Sequence, residues 1–161
     1  MTQHYIGTKQ ITAKEMTLGG YNAYRQWTIP ADEDPTKKGY LVTYSDGYQS
    51  WSPKEIFESA YLPMGEDNDG STVTKEMVEG FIAEARTVKS GLKTTVVTLI
   101  LRNGFEITET SSCVDPKNYD HELGREIATS RATDKVWILF GFLLQSARNG
   151  ITRPTNPKSS G

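Results

Sequence analysis

Six of the eight residues from Thr94 to Leu101 are β-branched, and Asn103-Gly104 follows before a second extended run from Phe105 to Thr110. Branched side chains suit a pleated surface. Asn-Gly supports positive φ at both central positions of a type I′ turn. The segment therefore reads as a β-hairpin, with Val97, Leu99 and Leu101 on one face.

Helical patterns flank that hairpin. From Thr74, the residues Met77, Val78, Phe81, Ile82 and Ala85 fall on one face at a period near 3.6, and Gly91 ends the region. Glu76 and Glu79 sit in the first turns, where the helix dipole favours them. Asp115-Pro116 breaks the chain, and a helix follows from Tyr119 or Asp120. Leu123 and Ile127 lie on one side of it, and Val136, Leu139 and Leu143 on another, so a kink, break or second helix is expected near Thr133-Asp134. Val136 to Leu144 has no polar side chain at all. A helix that is apolar all round must be buried all round. A homo-oligomer, a dimer or a multiple of dimers, is expected there, with Trp137, Phe140 and Phe142 divided between core and subunit interface.

The first part of the chain has a different character. Gly39 to Tyr44 alternates, Ser45-Asp46-Gly47 turns it, and Tyr48 to Trp51 returns. A helix is expected next, with Ser52 as its cap, Pro53 at the first helical position and Glu55 completing a capping box. Aromatics crowd this region: Tyr21, Tyr24, Trp27, Tyr40, Tyr44, Tyr48, Trp51, Phe57 and Tyr61. The expected organisation is an aromatic-rich β/α half-domain over 1–64, a linker over 65–72, a helix–β-hairpin–helix domain over 73–148 and a flexible tail over 149–161. The fold class is α+β, a small antiparallel sheet with β-hairpins packed against helices.

The chain has 161 residues, 18 basic and 20 acidic side chains and one Cys. One Cys excludes an internal disulfide framework and any multi-Cys metal site. No 18-residue apolar run or secretory leader is visible, so no membrane span is expected and the default location is a reducing cytoplasm. The near-neutral balance argues against a nucleic-acid-binding surface.

Catalytic sets are not apparent. His4 and His121 have no Ser or Cys partner at a familiar spacing, and Cys113 has no neighbouring base. Glu106 and Glu109 point to opposite faces of a strand. Asp32-Glu33-Asp34 lacks the later ligands and the fixed glycine of a calcium loop. No enzyme activity, metal or cofactor is expected. The features that remain suit binding. Phe105 beside Arg102 offers a stacking platform. Gly124, Ala128, Arg131 and Lys135 share one helical face, where small residues admit a group and two cations can meet phosphates.

Leu99 to Asp120, which contains Asn103-Gly104-Phe105, Ser-Ser-Cys113-Val and Asn118-Tyr-Asp, resembles a family of small accessory proteins of tailed phages. The likeness continues through Gly124-Arg125, Ala128 and Asp134-Lys-Val-Trp137. The sequence then departs from it: Pro-Leu-Glu-Gly-Tyr is the family's continuation, and Ile138-Leu-Phe-Gly-Phe142 stands here, which makes this end more apolar. Tyr5-Ile-Gly-Thr-Lys through Trp51-Ser-Pro-Lys-Glu is similar to a segment of other phage and prophage proteins.

The resemblance implies a phage origin and no particular reaction. By analogy with such accessory proteins, the expectation is a binding protein acting against host defence in the host cytoplasm, by sequestering a nucleotide-derived immune signal. Phe105 would stack, Asn103 and Asn118 would read polar edges, and Arg125, Arg131 and Lys135 would hold phosphates. The alternatives are an inhibitor that binds a host defence protein directly and a cryptic hydrolase.

Overall fold

A computed structural model describes residues 1–152. The fold is α+β, with two three-stranded antiparallel sheets. The chain divides into two compact units, one built on residues 1–63 and the other on Met64–Ser146. The tail expected over 149–161 lies, from residue 153 on, outside the described residues.

In the first unit, β1 (Thr12–Glu15), β2 (Gly39–Thr43) and β3 (Gln49–Pro53) pair in chain order. Helix α1 (Leu18–Tyr24) lies between β1 and β2, and α2 (Lys54–Ala60) follows β3. Thr17 caps α1 by accepting from Gly20 N–H at 3.1 Å. Tyr21, Leu41 and Val42 are buried. The capping box expected at Ser52 is absent. Ser52 and Pro53 are instead the last rungs of β3, opposite Tyr40 and Gly39, so the helix opens one residue later at Lys54.

The second unit holds α3 (Lys75–Phe81), β4 (Ile82–Ser90), β5 (Thr94–Leu101), β6 (Glu106–Ser112), a 3₁₀ turn (Pro116–Asn118) and α4 (His121–Asn149). Thr74 caps α3 through Met77 N–H at 3.2 Å. The helix then stops at Phe81, well short of the expected Ala85. Residues from Ile82 to Ser90 pair with β5 along its length, because its unpaired edge offers a ladder that outweighs a marginal helical period.

Both hairpins use the same turn, and it is not type I′. Gly47 N–H donates to Tyr44 O and Tyr44 N–H to Tyr48 O; Gly104 N–H donates to Leu101 O and Leu101 N–H to Phe105 O. These are three-residue loops, a type I turn closed by a glycine at φ +88° (Gly47) or +87° (Gly104). Asp46 and Asn103 each hold their turn by accepting from the N–H two residues on, at 3.0 and 3.1 Å.

Helix α4 is continuous, with no break at Thr133-Asp134. At a rise of 1.5 Å per residue it is about 43 Å long. Its buried positions are Gly124, Ala128, Ala132, Val136 and Phe140, a stripe at every fourth residue. The sheet presents Thr95, Val97, Leu99 and Leu101 of β5 and Ile107 of β6, all buried. A Cβ on Gly124 would stand 2.4 Å from Thr95 Oγ1, and Phe140 meets Phe81 edge-on at 5.2 Å. The small end of the stripe therefore lies over the start of β5 and the large end beside α3. Leu123, Leu139 and Leu143 are exposed, and the Val136–Leu144 run is buried only at Val136 and Phe140. The small residues read as an approach surface for a ligand are the packing face.

Gly124→Ala is expected to lower unfolding stability by about 1–3 kcal/mol despite the better helix propensity of alanine, because the added carbon overpacks against Thr95. Urea titration checks this; an unchanged or raised midpoint contradicts it.

Candidate functional site

The six residues expected to bind a ligand are dispersed. Asn103 and Phe105 sit at the β5–β6 turn. The Asn103 amide oxygen is engaged by Phe105 N–H, and the Phe105 ring is 55 % exposed. Asn118 ends the 3₁₀ turn beyond the opposite end of β6. A seven-residue strand spans roughly 23 Å, so no nucleotide-sized molecule reaches both.

The three cations all have partners. Arg125 forks onto Glu122 Oε2 at 2.9 and 3.3 Å. Arg131 Nη1 donates to Thr110 O at 2.9 Å. Lys135 pairs with Glu109. Helix α4 thus brings Arg131 and Lys135 together, one turn apart, but lays both along β6, and Arg125 lies further towards the helix start. Lys135, by hydrogen bond first and by charge, holds the Glu109 carboxyl below the usual carboxylate range, against partial desolvation and with help from Thr110 N–H and Arg131.

The sequence gave no sign of a second group. Tyr119 OH lies 3.0 Å from the buried Thr95 Oγ1 and 2.9 Å from His121 Nδ1, and Lys89 Nζ stands 4.4 Å over the Tyr119 ring. This chain ties the start of α4 to β5, and it explains His121 without any catalytic role.

The best-organised surface lies in the first unit. Part of the aromatic excess there is internal packing: Tyr40, Phe57 and Tyr61 stack at 4.2 and 4.9 Å. The end of α1 is different. Trp27 N–H donates to Asn22 O and Gln26 N–H to Ala23 O, the bond pattern of a Schellman cap. The cap position is Gln26 at φ +59°, the one non-glycine residue with positive φ among the described residues. That turn sets Trp27 edge-on to Tyr21 at 5.7 Å and leaves it 57 % exposed.

Arg25 locks the arrangement. Its Nε donates to Tyr21 OH at 3.1 Å and its Nη2 to Gln49 O at 2.8 Å, and its guanidinium lies 5.4 and 5.8 Å from the Tyr21 and Trp27 ring centres. Tyr24 OH donates to Gln49 Oε1 at 2.9 Å. Tyr24 and Trp27, both exposed, are thereby held beside a fixed Arg25. The aromatic count pointed to this region; Arg25 and the Gln26 conformation had no sequence signal, since glycine or asparagine is the usual mark of such a cap.

Residues 73–148 match the phage protein (N4 Gp49/phage Sf6 gene 66) family. The match takes in α3, the β4–β6 sheet and nearly all of α4, and it contains the Asn103-Gly-Phe to Trp137 motifs. It supports a phage protein and leaves residues 1–72 outside. No curated protein and no solved structure matches the chain. Among the described residues no helix is long and apolar enough to cross a membrane, and no group of three or more His, Cys, Asp or Glu is placed to hold a metal ion.

Two outcomes follow from these contacts. Gln26→Gly is expected to raise stability by about 1 kcal/mol by relieving the left-handed conformation; a lower thermal midpoint contradicts the strain. Because the folded pKa of Glu109 is depressed, its contribution is present above the ordinary glutamate range near about 4.3 and is lost as pH falls through the folded value. Lys135→Met is therefore expected to shrink the loss of stability between neutral and strongly acidic pH, read from urea midpoints. Identical acid limbs in both proteins contradict the pairing.

Proposed function

We propose that this chain is a phage-encoded binding protein without chemistry of its own, acting on a host defence protein in the cytoplasm through Tyr24, Arg25 and Trp27. The observation that carries the reading is the fixed Arg25 between exposed aromatics. Trp, Tyr and Arg are the residues that dominate protein–protein hot spots. Side chains already held in place lose little further freedom on binding.

Sequestration of a nucleotide-derived signal is the second reading, and the half-exposed Phe105 beside Arg102 favours it. Against it, a phosphate would have to displace Glu122 from Arg125 and Glu109 from Lys135. Asn103, Phe105 and Asn118 also do not converge with those cations.

Affinity purification from phage-susceptible cells separates the two. The wild-type protein is expected to recover one stoichiometric host protein. Trp27→Ala, with its fold verified by circular dichroism, is expected to weaken that complex at least about 30-fold, the scale of a hot-spot truncation. Recovery of a nucleotide on denaturation, with no protein partner, overturns the reading. So does a partner that Trp27→Ala retains at full affinity.

A further inference from the structure

The outer side of α4 changes character along its length, and this surface stands apart from the Tyr24–Arg25–Trp27 platform. Opposite the buried stripe run Glu122, Glu126, Ser130 and Asp134, all exposed. The same line continues as Ile138 and Phe142, 70 % and 74 % exposed, flanked by the exposed Trp137 and Leu143. Together these four side chains leave roughly 500 Å² of apolar surface, from areas of about 150–250 Å² for a whole aromatic side chain. That exceeds the few hundred Å² usual on a soluble monomer.

Gly141 lies in the middle of this patch. Glycine inside a helix is disfavoured relative to alanine. Gly124, on the same helix, is explained by Thr95; a Cβ on Gly141 would meet nothing within 4 Å. No contact within the chain requires its small size, and Phe142, the largest exposed knob of the patch, is its immediate neighbour.

We infer that this face is the docking surface for a second copy of the chain, the two α4 helices crossing antiparallel about a two-fold axis at Gly141. An isologous contact requires one patch to carry both a projection and the recess that receives it. Phe142 and Gly141 are such a pair. The register that opposes the two Gly141 positions also sets Asp134 opposite Arg148 of the second copy, at both ends of the contact. Antiparallel packing also aligns the helix dipoles favourably. A standard interface takes about 800 Å² from each partner, so the four side chains supply more than half and their polar flanks the remainder. Phe140, expected at the interface from its sequence position, belongs to the core.

Analytical ultracentrifugation at micromolar concentration tests the inference. The wild-type chain is expected at twice its 18.0 kDa mass. Phe142→Glu and Gly141→Leu are each expected to weaken the dimer at least 100-fold, about the effect of removing a hot spot, and to run as monomers with undiminished thermal midpoints. In a Cys113→Ser background, Gly141→Cys is expected to form a disulfide-linked dimer under mild oxidation, whereas Ser130→Cys, on the polar part of the same line, is not. A wild-type monomer overturns the inference, as does a dimer that survives Phe142→Glu or one that Ser130→Cys links as readily as Gly141→Cys.

Discussion

The second unit depends on how closely α4 can approach the sheet, and Gly124 over Thr95 sets that distance. Thr95 is fully buried and its hydroxyl is held by Tyr119. A side chain at position 124 would lift the start of the helix away from it. From that contact the stripe widens through Ala128 and Ala132 to Val136 and Phe140. One face of β5 is thereby covered from Thr95 to Leu101 by a single element. The same placement decides what the cations of α4 can do. With the stripe turned inward, Arg131 and Lys135 fall against β6 and are engaged there by Thr110 O and Glu109.

A parallel economy of turn chemistry operates in both units. The three-residue loops at Ser45–Gly47 and Arg102–Gly104 share one hydrogen-bond pattern, with an Asp or Asn carbonyl oxygen bracing each. The end of α1 solves a similar geometric problem without glycine. Gln26 takes the left-handed conformation there, at an order of 1–2 kcal/mol for an L-residue. The neighbouring contacts of Arg25 with Tyr21 and Gln49 hold the segment in place. Strain of this kind concentrates where a side chain must be presented in one orientation, and Trp27 is the side chain it presents.

Much of this was legible in the residues and some was not. The β-branched run of Thr94–Leu101 and the alternation of Gly39–Tyr44 mark strands because their pattern has one reading. Ile82–Ser90 was misread because Met77, Val78, Phe81, Ile82 and Ala85 satisfy a helical period, while the partner strand that captures the segment follows later in the chain. The α4 stripe was missed for a different reason. Gly, Ala and Ala carry almost no hydrophobic signal, so the larger Leu123, Leu139 and Leu143 drew the buried face to the wrong side. The six expected ligand residues were chosen by type. Their dispersal follows from the length of β6 and from the pairing of each cation, neither of which residue types reveal.

The account rests on contact through fixed aromatic and apolar side chains, with the cations of α4 belonging to the fold. Titration calorimetry of the purified chain with cyclic oligonucleotides and ADP-ribose derivatives addresses that claim most directly. No saturable heat is expected from any of them. A saturable complex of micromolar or better affinity that is lost on replacing Arg131 and Lys135 by glutamine would contradict it.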